Sequence, residues 1–353
     1  MLKLCIAPFL RGCQTLLRIN PDDYQVCSAV SPSGICSNGV DASYLRNRRE
    51  SGITLLNDLN TGLIDADVVL VPPVVDENLS EYVTLIEDIC RDAKKQLLNR
   101  HVLEERIEEK NNLLFSGFDS RERLIQNAVQ SIDIPVIYIC SFFNSFDCFE
   151  VLEALGRLLK SNGHIPVMIT QNEIGALYGN VVLNLELDGD IEENIIDLNE
   201  RARWVVARAH ADILLVELPK PVVDYSKFIH YDFGVGAYAL SKAIPPDGIV
   251  FCTSLNFASP DFIANVCESN SLRMGGAWWM VHVGNQVLKT DNEPEDRDFG
   301  VCYEREDLAY EVSACLRGCG VPALCAYSNR ELEDYLYRRI EADLLSSTNM
   351  VIG

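Results

Sequence analysis

Positive charge, long apolar runs and catalytic signatures are all scarce in this chain. Thirty Lys and Arg stand against 52 Asp and Glu, a net charge of −22. Nucleic acid and anionic membrane surfaces would both repel such a protein, and neither is an expected partner. No apolar run approaches the ~20 residues that span a bilayer. No CxxC pair, G-x-S-x-G elbow or H-E-x-x-H helix occurs, so sequence gives no direct sign of the hydrolase and zinc chemistries those patterns support. The five histidines are too scattered to define a ligand set. No metal site and no cofactor are implied. The N-terminal stretch Met1–Leu10 is short and runs straight into Arg11. It reads as a first strand, not a signal peptide, and the expected location is the cytoplasm.

With 353 residues, 48% of them apolar, the chain has enough material for two buried cores. Its thirteen cysteines are odd in number and dispersed, which suits reduced thiols acting as small hydrophobes in a reducing compartment. The tightest group is Cys315, Cys319 and Cys325. Spacing of four places the first two on one helical face, open to two readings: a metal or cluster corner, or a helix end with buried thiols. Acid concentrates in two expected loops, Asp188–Glu193 and Asp291–Asp298.

The most telling absence lies in the loop after Ile134–Cys140, an apolar, β-branched run expected to be a buried parallel strand. Ser141–Phe146 follows, then Asp147 and Glu150 at capping-box spacing, with Phe149, Leu152, Leu155 and Leu159 on one helical face. Ser161–Gly163 stops that helix, and Ile165–Thr170 is a second apolar strand. This is the layout of a P-loop unit. A working P-loop needs glycines to bring backbone amides onto phosphate, a Lys for the β/γ oxygens and a Ser/Thr for magnesium. The loop has no glycine, and Cys148 and Phe149 stand about where Lys and Ser/Thr are wanted.

The first part of the chain alternates strands (Leu2–Pro8, Gln25–Val30, Ile53–Leu56, Val68–Val71) with helices, the Rossmann-like pattern. Ser31–Asp41 is a glycine-bearing loop after a strand; it is not GxGxxG, but such loops lie where α/β sheets bind ligands, which makes Gly34 and Gly39 candidates. One long helix is expected from Ser80 to about Leu114, its charged end (Glu104–Lys110) a candidate homo- or heterodimer contact. The expected organisation is a Rossmann-like domain over 1–115, a linker over 116–132 and a P-loop-like domain over 133–353. In the last, Ile191–His210 and Asp232–Ile244 read as helices and Ala211–Leu218 and Ile249–Thr253 as strands; Ser259-Pro260 opens another helix. Ala277–Val283 reads as a strand and Glu306–Leu316 and Arg330–Leu345 as helices. His230, at a loop-to-helix transition, is the most suggestive general base among the histidines.

The order of these features resembles the peptide maturation system proteins of clostridial gene clusters for ribosomally made, Cys-rich peptide natural products. The resemblance rests on Val30–Gly34 with Gly39–Ala42, on Ile134–Cys140 with Phe149-Glu150, on Ala211–Val216 with Phe233–Val235, and on Ile244–Val250. It implies two α/β domains, Rossmann-like then P-loop-like, and an accessory role beside the enzymes that modify a leader-bearing precursor. The expected partners are then a precursor peptide or those enzymes. The alternatives are a nucleotide-dependent ligase, kinase or hydrolase with a non-standard phosphate loop, and a Cys-ligated metal or cluster carrier. In an open parallel sheet the carboxyl-end loops converge, which makes Ser141, Asn144, Ser145, Asp147, Asn172 and Glu217 the expected ligand-binding residues. The same convergence brings in Glu217–Lys220 and Ser254–Asn256, with Phe142, Phe143 and Phe146 as apolar lining.

Overall fold

Short apolar runs in this chain become parallel strands because each can be covered on both faces by the helices between them. A computed structural model describes residues 1–9, 13–33, 38–73, 77–118, 128–141, 147–185, 189–218, 221–222, 234–276, 278–289 and 300–345. The chain divides into two compact units, Met1–Lys110 with Asn172–Asn180, and Asn111–Gln171 with Val181–Gly353. It is an α/β protein with two parallel sheets.

In the first unit, β1 (Leu2–Ile6), β2 (Tyr24–Val30), β3 (Leu55–Leu56), β4 (Val68–Leu70) and β5 (Gln96–Leu98) form a sheet in the order β3-β2-β1-β4-β5. All its pairings are parallel. This is the strand order of a dinucleotide-fold half, with its reversal between β1 and β4; the short helix α1 (Gln14–Arg18) lies between β1 and β2 in the chain. Cys5, Val30, Val69 and Val71 pack with Leu59 and Leu63 of α2 (Leu59–Leu63) and Ile86 and Cys90 of α3 (Ser80–Asp92).

The long helix expected over 80–114 is two helices with a strand between them. Helix α3 ends at Asp92, Lys94 takes φ +53, and Gln96–Leu98 pairs with Val68–Leu70 before α4 (Arg100–Leu114) begins. Leu97 and Leu98 fit a helical stripe or a strand equally well over so short a stretch. The open edge of β4 decides, by offering backbone partners that bury Leu98 completely. Asn99 then caps α4, its Oδ1 accepting from the Val102 amide at 3.1 Å.

In the second unit the strands are β6 (Val136–Ser141), β7 (Pro166–Thr170), β8 (Val181–Val182), β9 (Ile213–Glu217), β10 (Gly248–Thr253), β11 (Trp278–Val283), the antiparallel pair β12 (Gln286–Lys289) and β13 (Gly300–Tyr303), and β14 (Ala323–Leu324). The main sheet runs β14-β11-β10-β6-β9-β7-β8, parallel throughout. Every residue of β6 is buried, as its uninterrupted apolar pattern requires. The chain steps from β6 over β9 to reach β7, so the order reverses at β6. The helices are α5 (Asp147–Ser161), α6 (Ile191–Ala209), α7 (Val235–Ala243), α8 (Pro260–Met274), α9 (Glu306–Gly318) and a closing helical stretch over 329–345. Ser259 caps α8 with Pro260 at its first position, as the sequence indicates. Among the described residues no helix is long and apolar enough to cross a membrane.

Candidate functional site

The carboxyl edge of the second sheet gathers polar side chains because parallel register stacks them on one face. Ser141 pairs with Cys252, Cys252 with His282, and His282 with Leu324, one row across β6, β10, β11 and β14. Partners in register point to the same side of a sheet. Helix α5 starts at the end of this row with Asp147, 1% exposed although it opens a helix.

Asp147 sits within a polar group. Its Oδ2 accepts a hydrogen bond from the Tyr327 hydroxyl at 2.8 Å. The Asn285 amide donates to that hydroxyl at 3.3 Å, and the Asn285 carboxamide donates to the Glu304 carbonyl at 2.7 Å. His282 is fully buried and accepts the Ala326 amide at Nδ1, 3.0 Å away. With Nδ1 accepting, the ring proton belongs on Nε2. Among the described residues that nitrogen has no hydrogen-bond partner, and it lies 3.6 Å from Asp147 Oδ2, an electrostatic contact beyond hydrogen-bond range. Tyr327 stands edge-on to the imidazole at 5.2 Å. Gly284 crosses directly over the carboxylate, where an added Cβ would lie 2.3 Å from Asp147 Oδ2.

This arrangement has a clear electrostatic consequence. The first turn of a helix attracts an anion through unpaired amides and the helix dipole, worth about 0.3–2 kcal/mol. At α5 the protein places a carboxyl of its own in that turn. A second negative charge brought to ~4 Å from the Asp147 carboxylate would meet a repulsion of about 4 kcal/mol at an effective dielectric of ~20. Repulsion exceeds the attraction of the helix end.

A second carboxyl lies on β9, the strand next to β6. Glu217, half-buried at the end of β9, accepts a short hydrogen bond from the Thr170 hydroxyl. Burial pushes its carboxyl up to about 7, against the opposing pull of that hydroxyl. It can therefore hold or release a proton near neutrality.

The expected site residues fall in several places. Ser141, Asp147 and Glu217 lie at the carboxyl edge of the second sheet, as do Ser254 and Asn256 after β10. Ser254 is buried and bonds Asn256 at 3.0 Å, and Asn256 grips both the amide and the carbonyl of Leu288. Asn172 belongs to the first unit, where its side chain caps a short helix over Glu173–Tyr178 by accepting the Ile174 amide. Gly39 is also in the first unit, in a turn at φ +80, with its amide bonded to the Leu55 carbonyl. Gly34, Phe142, Phe143, Asn144, Ser145, Phe146, Lys220 and His230 lie outside the described residues.

Cys325 is buried against Leu316, whereas Cys315 and Cys319 are exposed. Among the described residues no three His, Cys, Asp or Glu side chains gather in a group able to hold a metal ion. Sequence reasoning missed His282, Asn285, Tyr327 and Thr170. The one available signal was a histidine inside the otherwise apolar Trp278–Val283 run, followed by Gly284-Asn285 at the strand exit.

No family model matches the chain, and no curated protein matches it. Among solved structures it is similar to a DUF1611 family protein from Anabaena variabilis, with 13% identity, 99% of each chain covered and a TM-score of 0.55. That likeness shows the fold. Chloroplast FtsY from Physcomitrella patens matches at 12% identity over 70% of this chain and 82% of that one, TM-score 0.34. MurF ligase from Thermotoga maritima, in complex with ADP, matches at 13% over 83% and 60%, TM-score 0.22. Neither score carries an argument.

Proposed function

We propose that this chain is an accessory binding protein of a peptide-maturation system, engaging a precursor peptide or the enzyme that modifies it without hydrolysing a nucleotide. The observation that carries the reading is the buried Asp147 carboxylate at the first turn of α5, held by Tyr327 and faced by His282. An ionised carboxylate at that turn would repel a phosphate brought to the same helix start. The glycine-free loop and the resemblance to clostridial peptide maturation proteins support the same reading. The net charge of −22 suits a basic peptide, and the twelve described cysteines, all free thiols, suit a reducing cytoplasm.

Two measurements test it. Affinity purification from the native host recovers a precursor peptide or a modifying enzyme. Calorimetry with ATP and GTP plus magnesium gives no binding tighter than about 100 μM, roughly 5.5 kcal/mol. Recovery of neither partner, or nucleotide binding below that limit, defeats the proposal.

One observation favours a second reading, a nucleotide-dependent ligase, kinase or hydrolase. Glu217 titrates near neutrality at the sheet edge, as a general acid or base would. Under that reading, nucleotide turnover disappears in Glu217→Gln.

A further inference from the structure

The first unit has a cleft of its own. A space of about 640 Å³ opens at the carboxyl ends of β4 and β5, within the size range of small-ligand and side-chain pockets. It lies one strand beyond the reversal between β1 and β4, on the edge where open parallel sheets bind ligands. One side is apolar and stiff: Val71, Pro72 and Pro73 leave β4, and Val83 faces them from α3. The other is charged, with Glu87 from α3 and Glu104 from α4.

The charges decide what fits. Arg100 also lines the cleft, but its Nε lies 2.9 Å from Glu104 and 3.7 Å from Glu173, so its charge is already answered by two carboxylates. His101 Nε2 is directed to Glu105 at 3.5 Å. Glu87 receives a neutral donor, the Asn99 carboxamide, at 3.0 Å. Among the described residues the cleft therefore has more carboxylates than cations beside an apolar wall, on a chain of net charge −22. A lysyl or arginyl side chain matches both features, its methylene stem on the prolines and its cationic head at the carboxylates.

We infer that this cleft is the docking site for a basic residue of a bound peptide. The inference rests on the proposed peptide-binding role and names the residue class that role recognises.

The test uses the full-length chain and four probes: Nα-acetyl-lysine amide, Nα-acetyl-norleucine amide, Nα-acetyl-glutamate amide and cadaverine. The lysine amide binds at least tenfold more tightly than the norleucine and glutamate amides. It loses tenfold or more of its affinity in the Glu87→Gln/Glu104→Gln double variant, whose melting temperature and circular dichroism are unchanged. Equal binding of norleucine amide, preference for glutamate amide, or an unaffected double variant overturns the assignment. Cadaverine binding as tightly as lysine amide overturns the peptide source in favour of a small amine. The double variant also separates the two proposals. If the wild-type chain and the variant recover the same peptide from the host equally well, the cleft assignment falls and the accessory role stands. If lysine amide binds the cleft but no peptide or enzyme is recovered, the accessory role falls instead.

Discussion

The two sheets present opposite versions of the same edge. Each is parallel, each reverses its strand order near the middle, and each has helices starting at its carboxyl end. In the first unit that edge holds a cleft with an apolar wall and, among the described residues, more carboxylates than cations. In the second it holds a carboxylate already enclosed by Tyr327, His282 and Gly284. Architecture determines where a site lies; the charges and glycines at the strand exits determine whether it is open.

The largest effect belongs to Gly284. Alanine there drives a Cβ against the Asp147 carboxylate, with the Thr253 carbonyl and Tyr327 hydroxyl 3.4 Å away on other sides. Denaturant unfolding should record a loss of about 2–4 kcal/mol. The counterpart in the first unit is Gly39→Ala, at φ +80 with no atom of the described residues within 4 Å of the new methyl. It should lose only the left-handed backbone penalty of about 1–2 kcal/mol. Equal losses at the two positions would mean that the second edge is not closed as described.

Tyr327→Phe comes next. It removes a hydroxyl donor from a buried carboxylate, and hydrogen bonds to charged groups are worth about 1.5–3 kcal/mol. Combining it with Asp147→Asn measures the coupling. If the two losses simply add, the pair is not an interacting unit.

A change of up to about 3 kcal/mol, confined by pH, is expected for Glu217→Gln. The folded carboxyl keeps its proton up to about 7, above the ordinary carboxylate value of 4.5. Across that window the folded state binds more protons than the unfolded one, so this contribution to stability is present at low pH and declines as pH rises through about 7. The Gln variant should lack the decline and be the more stable protein above it. Parallel wild-type and variant curves between pH 4.5 and 8 would show that Glu217 titrates normally.

Much of this contrast was legible from the residues, and the illegible part has identifiable causes. The β6–α5–β7 unit and the Ser259 cap were readable because apolar period and cap chemistry are local signals. Gln96–Leu98 was not, because three residues carry no period and the unpaired edge of β4 settled their fate. Asp147 was visible as a helix-start acid. Its enclosure was not, because Tyr327 arrives from 180 residues away, and no local pattern announces a hydrogen bond of that span. Glu217 stood out as an acid ending an apolar strand, whereas its Thr170 partner depended on β9 lying beside β7.

The first unit is also discontinuous in time. Tyr178 donates to the Ile19 carbonyl at 2.6 Å, and Lys110 binds the carbonyls of Gly179 and Asn180, so residues 172–180 complete a unit whose other residues end at Lys110. A ribosome adding roughly 5–20 residues per second takes roughly 3–12 s to make the intervening stretch. Throughout that interval the strands of the first sheet are all made, yet the unit lacks residues 172–180, and the Ile19 carbonyl awaits Tyr178.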